Sequence, residues 1–142
     1  MKYFSFEEFE RSDTARRFAI DNRIPDKLKN NVAALVDNVL DPLREAWGKP
    51  ITVTSGYRCA DLNRKVGGVT TSMHLTGQAA DITTGNVTDN RKLYQLLLDM
   101  KLPFFELIGQ KYGFKWLHVS YNPTRLHRIE KPYKRTLEGI SK

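Results

Sequence analysis

Apolar residues in the stretch 25–47 recur at helical spacing, and this stripe constrains the fold more than anything else in the chain. Leu28, Val32, Leu35, Val36, Val39, Leu40, Leu43 and Trp47 fall on one face, the pattern of an amphipathic helix that buries that face. Pro25 and Asp26 open the helix, Gly48 and Pro50 stop it, and Pro42 is expected to kink it or split off its last turn. Upstream, Ser5 and Glu8 make an S-x-x-E capping box for a short helix over Phe6–Glu10, and Ser12 and Asp13 cap a second short turn. Downstream the signals turn to strand. Residues 51–54 alternate and are β-branched, Ala79–Thr83 reads as a short buried strand, and 104–110 with 114–121 read as a hairpin about a turn at Gly113. Between these lie a helical turn over 61–66 ended by Gly67 and Gly68, a loop over 69–73, and a helix starting at Asp89 with Leu93, Leu96, Leu97 and Met100 as its apolar face. Helices early and strands late predict an α+β fold, with helices packed on a small, largely antiparallel sheet.

The 142 residues are 40% hydrophobic and 27% charged, enough to build the core of one ordinary domain. No apolar run is long enough to span a membrane, and no internal repeat or linker divides the chain. Glu7 and Glu8 arrive before any apolar leader can form, so no cleaved signal peptide is expected and the chain is read as cytoplasmic when synthesised. Cys59 is the only cysteine, which excludes an intrachain disulfide and Cys-rich zinc sites; it is read as a packing residue. The net charge of +7 suits an anionic partner: nucleic acid, a membrane surface or a cell-wall polymer. Residues 122–142 hold six basic residues against Glu130 and Glu138 and are read as a basic C-terminal tail following a domain over 1–121. Nucleic acid is the weakest of these partners, because Tyr133 is the tail's only aromatic residue.

Two of the three histidines stand in contexts that suit a metal. His74 ends a Gly/Thr/Ser-rich loop, and Asp81 lies in the strand that follows a sharp turn at Gly77. His118 lies in an alternating strand, where Trp116, His118 and Ser120 share one face. Two neutral imidazoles and one carboxylate make a three-ligand set for zinc with a fourth position for water, and zinc lowers the pKa of that water to about 7. The same spacing also fits hydrogen-bonded sheet residues, and the third histidine, His127, sits in the basic stretch outside both elements.

Longer elements carry a resemblance. Ser55-Gly56-Tyr57-Arg58, Leu62-Asn63, Val66-Gly67-Gly68, the S-x-H-x-x-G-x-A-x-D run from Ser72 to Asp81, and Trp116-Leu117-His118-Val119-Ser120 occur in that order. Together they resemble the zinc D-Ala-D-Ala carboxypeptidase family. Its relatives include the L-alanyl-D-glutamate endopeptidases of phage lysins, and the hedgehog signalling domain shares its fold. The resemblance implies zinc held by His74, Asp81 and His118. It implies a substrate-binding role for Arg58, whose guanidinium can stabilise an oxyanion or hold a carboxylate, and a substrate contact for Ser72. It breaks at the general base. Members usually carry an acid three residues before the last ligand, here Lys115, or after a Leu-Ile pair, here Leu107-Ile108-Gly109-Gln110. Gln110 can orient a water or contact substrate but cannot take its proton. Glu106 shares strand parity with Ile108 and Gln110 and is the nearby acid that could serve.

The reading that follows is a monomeric zinc metallopeptidase cutting peptide bonds in peptidoglycan stem peptides or cross-links. It would be of carboxypeptidase or endolysin type, the latter released to the wall by phage lysis. The alternative is a catalytically impaired, zinc-retaining binding module for cell wall.

Overall fold

The computed structural model describes residues 1–130; the basic residues Lys131, Lys134, Arg135 and Lys142 lie outside the described residues. Helix α1 (Phe6–Glu10) is capped by Ser5, whose hydroxyl accepts the Glu8 N–H, and α2 (Asp13–Arg17) by Ser12 in the same way with Ala15. The long stripe forms α3 (Asp26–Leu35), a π-helical turn over Val36–Leu40 and α4 (Asp41–Trp47) without interruption. Proline lacks the N–H of a helical turn, and its ring crowds the carbonyl four residues back. The widened turn ahead of Pro42 absorbs both effects, so the helix changes gauge where a kink or a split was expected. Gly48, at φ 76, closes α4.

Strands β1 (Thr52–Ser55), β2 (Ala79–Thr83), β3 (Glu106–Ile108), β4 (Leu117–Ser120) and β5 (Arg128–Ile129) form one sheet in the order β1-β2-β4-β3-β5. All pairings are antiparallel except β3 with β5. Side chains alternate across a sheet, and here the two faces have different fates. Val53, Ala80, Ile82, Leu107, Leu117 and Val119 join Val32, Leu35, Val36, Val39, Leu40 and Leu43 of the long helix in one buried core. Asp81, Glu106, Ile108 and His118 take the opposite face and line a cleft of about 820 Å³. The helices therefore brace one side of the sheet and leave the other for chemistry.

Between β1 and β2 lie α5 (Ala60–Lys65) and a 3-10 turn over Met73–Thr76. The helix expected to start at Asp89 starts two residues earlier: α6 (Val87–Asp99) is capped by Asn86, whose Oδ1 accepts the Asp89 N–H at 2.8 Å while its Nδ2 donates to Asp89 Oδ2 at 3.1 Å. Asp89 is thus the reciprocal partner one turn inside the helix. Two further expectations are corrected. Strand β3 ends at Ile108, where Gly109 turns the chain at φ −136, ψ −48 into a 3-10 turn over Gln110–Tyr112. The stretch read as a tail begins inside the sheet: Arg128 pairs with Glu106 and Ile129 with Leu107. The carboxylate of Glu130 then accepts the N–H groups of Gly109, Gln110 and Lys111 at 2.5, 2.6 and 3.2 Å, tying this segment to the hairpin turn. No helix among the described residues is long and apolar enough to cross a membrane.

Candidate metal centre

Asp81 and His118 are direct partners across β2 and β4, so their side chains emerge side by side on the cleft face. His74 arrives from the preceding loop. Its turn is set by Ser72, whose hydroxyl accepts the His74 N–H at 3.2 Å, and by Gly77 in the left-handed region at φ 75. A side chain at Gly77 would also meet Val32 Cγ2 at 2.8 Å, so the turn packs directly on the long helix.

Three donor atoms converge. Asp81 Oδ1 lies 3.3 Å from His74 Nε2 and 3.2 Å from His118 Nδ1, and one ligand atom from each residue falls within 4.8 Å of the others. Tetrahedral zinc with bonds of about 2.0–2.1 Å places neighbouring donors about 3.3 Å apart, and the two separations from Asp81 Oδ1 match that spacing. The remaining ring nitrogens are pinned. His74 Nδ1 lies 2.7 Å from the Gly56 carbonyl and donates to it, so Nε2 is the ring nitrogen turned to Asp81. His118 Nε2 lies 3.2 Å from Glu106 Oε1 on the far side of the ring. Glu106 Oε1 also accepts from Ser120 Oγ at 3.2 Å.

Electrostatics follow the geometry. Burial alone would push the Asp81 carboxyl up, but hydrogen bonds with His118 and His74, reinforced by their charge, hold it well below the usual carboxylate range. Burial also opposes a charged His118, yet Asp81 and Glu106 on its two edges push its pKa up to about 9 in the metal-free chain. The hydrogen bond from His118 holds the Glu106 carboxyl below its ordinary value against partial burial.

Arg58 is a holder as much as a free hand. Its Nη2 lies 3.3 Å from Asp81 Oδ2, its Nε donates to Ser55 Oγ at 3.0 Å, and its Nη1 donates to Asn63 Oδ1 at 3.2 Å. Asn63 Nδ2 in turn donates to the Val69 carbonyl at 2.9 Å. Gly68 makes this possible, because a Cβ there would stand 2.1 Å from Asn63 Oδ1. The SGYR, LN and VGG elements therefore build one device that fixes a guanidinium on Asp81 and leaves Oδ1 to face the imidazoles.

Of the residues singled out in the sequence, Arg58, Ser72, His74, Asp81, Glu106 and His118 all line the cleft. Gln110 and Lys115 do not. Both are exposed, because the strand that would have carried Gln110 to the metal face ends before it. His127 is not a loose tail residue: its N–H donates to the Phe104 carbonyl at 2.8 Å and its ring nitrogen reaches the Leu102 carbonyl at 3.1 Å. Sequence reasoning missed Ser55 and Asn63 as holders of Arg58, though both stand in the quoted elements. It also missed the cleft wall of Tyr112 stacked on Trp116 with ring centres 4.5 Å apart, and Lys111, Arg125 and Arg128 on the rim. No local sequence signal marks those residues, since they meet only through the hairpin turn and β5.

An α+β domain with a His-Asp-His set at the floor of an open cleft is the architecture of a metal-dependent hydrolase. Residues 2–120 match the Peptidase M15 family model, and the chain belongs to that family. Over 48 residues it is 46% identical to the zinc D-Ala-D-Ala carboxypeptidase of Streptomyces albus G. The matched stretch is 33% of this chain and 19% of that relative, so the likeness spans about a fifth of the relative's length. The family and this relative imply zinc, and the donor set accommodates it.

Proposed function

We propose that this chain is a zinc metallopeptidase that cuts peptide bonds in peptidoglycan stem peptides or cross-links. The observation that carries the reading is the convergence of one ligand atom each from His74, Asp81 and His118 within 4.8 Å of one another, in an open cleft. Family membership and the likeness to a zinc D-Ala-D-Ala carboxypeptidase support it. When bound, zinc supplies Lewis-acid polarisation of a carbonyl and makes a water more acidic near neutral pH. His74, Asp81 and His118 hold the ion, and Gly56 and Glu106 fix the two imidazoles from behind. Arg58 keeps Asp81 turned towards the imidazoles, and its face on the cleft is available to a peptide carbonyl or carboxylate. Ser72 stands at the same wall and offers a hydroxyl to the bound peptide. Glu106 is the proton acceptor. Among the described residues that line the cleft it is the only carboxylate outside the ligand set, and its Oε2 makes no hydrogen bond with any described residue, Arg128 Nη1 standing at 3.9 Å.

Digestion of purified peptidoglycan, read together with metal content, tests this. Release of peptide fragments by the zinc-loaded chain, abolished in His74→Ala together with its zinc, is the expected result. Full zinc occupancy with no fragment released overturns it. A second reading, a zinc-retaining wall-binding module, draws on one observation. His118 and Ser120 engage Glu106, and its carboxyl is held below its ordinary value, which weakens it as a proton acceptor.

A further inference from the structure

The rim of the cleft is cationic on the side built by residues beyond 120, where the family match ends. Across the sheet run Asp81 on β2, His118 on β4, Glu106 on β3 and Arg128 on β5, with Arg128 directly opposite Glu106. The acids of this file are already engaged, Asp81 by Arg58 and both imidazoles, Glu106 by His118 and Ser120. The cations of the outer rim are less so. Arg58 is committed to Asp81 and only 15% exposed, whereas Arg128 is 73% exposed and its one ion pair among the described residues is with Glu106, at 3.9 Å. Arg125 and Lys111 also line the cleft, and neither side chain has an ion-pair partner among the described residues. Each rests on an aromatic face instead. Arg125 stands 5.8 Å from the Phe105 ring centre and Lys111 5.8 Å from that of Tyr112. An aromatic bed steadies a cation without neutralising it. A divalent ion at the His-Asp-His set would add to the same field, and a cleft lined by one sign of charge concentrates ligands of the other.

We propose that Arg125, Arg128 and Lys111 form a carboxylate-recognising subsite beside the metal centre, making the preferred substrate an acidic peptide. The word substrate rests on the peptidase reading above; the subsite itself rests on the rim. In a stem-type peptide the carboxylate has two sources: the C-terminal residue, or the free carboxyl of an acidic residue within the chain.

The test uses the zinc-loaded full chain and four versions of one peptide, L-Ala-γ-D-Glu-L-Lys-D-Ala-D-Ala: with both carboxylates free, with the C-terminus amidated, with the glutamate amidated, and with both amidated. The readouts are kcat/KM where the peptide is cut and Kd by calorimetry where it is not. Amidation of the recognised carboxylate should weaken the readout by about tenfold or more, as expected for a lost charge-assisted contact. Which single amide carries the loss identifies the source. In the double variant Arg125→Gln with Arg128→Gln, the preference for acid over amide should lose most of its size, with Lys111 alone remaining of the subsite. Arg125→Gln alone should shrink the discrimination, and it keeps the test decisive if the double variant folds poorly, because the Arg125 side chain makes no hydrogen bond or ion pair with the described residues. Equal handling of acid and amide by the natural chain, or discrimination undiminished by both substitutions, overturns the subsite. Cleavage without discrimination leaves the peptidase reading standing and the subsite refuted. Discriminating binding without cleavage does the reverse, and neither binding nor cleavage of any version refutes both.

Discussion

Glu106 touches His118 on the ring edge opposite the ligand atom, so one side chain serves two ends: it orients a ligand and faces the cleft with its free oxygen. Replacing a carboxylate behind a metal-bound imidazole commonly costs about 10–100-fold in metal affinity, and removing a general base costs about 100–10,000-fold in rate. Glu106→Gln should therefore weaken zinc modestly and, at saturating zinc, still lose most turnover; a variant with undiminished kcat would remove Glu106 from the proton path. Gln110→Glu should add nothing, because Gln110 lies off the cleft. Arg58→Ala should impair both zinc retention and turnover, since Nη2 steadies the metal-facing carboxylate. Dialysis against a graded chelator, read by metal analysis, separates this from a pure substrate contact, which would leave zinc content intact. The pH prediction concerns His118. Its pKa in the metal-free chain, raised from 6.5 to about 9, lies above the unfolded value. The stability it lends is thus fully present below pH 6.5 and is lost as pH rises through about 9. Zinc takes the neutral imidazole, so binding near pH 7.5 should release about one proton and tighten as pH rises. Calorimetry in buffers of different ionisation enthalpy counts that proton, and a count of zero would contradict the pairing of His118 with Asp81 and Glu106.

At the scale of elements, the turn between His74 and β2 depends on what lies beneath it. Gly77 and Gly48 have nearly the same backbone, φ 75 and 76, but a Cβ meets Val32 at Gly77 and nothing at Gly48. Forcing an L-residue into this region costs about 1–2 kcal/mol. Gly48→Ala should show that cost alone. Gly77→Ala should exceed it in a denaturant titration and should also loosen zinc, because the turn carries a ligand. Equal losses for the two would mean that Val32 simply moves aside. Element ends were the least legible part of the sequence. Alternation through Gln110 satisfied the strand pattern, but Gly109 and the Glu130 carboxylate, twenty residues downstream, fold that stretch into a 3-10 turn. Pro42 read as a break, yet packing of Val36, Val39 and Leu40 in the core holds the helix together through a π-helical turn.

At the scale of the molecule, one face of the sheet is consumed by the core and the other by the cleft, so metal and fold are coupled through the same strands. An ion that binds only the folded chain stabilises it by about 4 kcal/mol at a thousandfold excess over Kd. Chelation should accordingly lower the unfolding midpoint by several degrees, while His127→Ala, remote from the ligand set, should leave zinc content unchanged. A midpoint indifferent to chelator would place the metal elsewhere.

The sequence by itself determined the α+β class, the long helix and the capped turns, and through the ordered short elements of its family resemblance it pointed to His74, Asp81 and His118. Each is written in local periodicity or in short elements whose residues act within a few positions of one another. Only the tertiary structure decided that Glu106 faces the metal centre and Gln110 does not, that Ser55, Asn63 and Gly68 exist to seat Arg58 on Asp81, and that Arg125 and Arg128 reach the cleft at all. Those relations join residues on different strands through register and close packing, and no local pattern in the chain encodes which distant side chain will stand opposite.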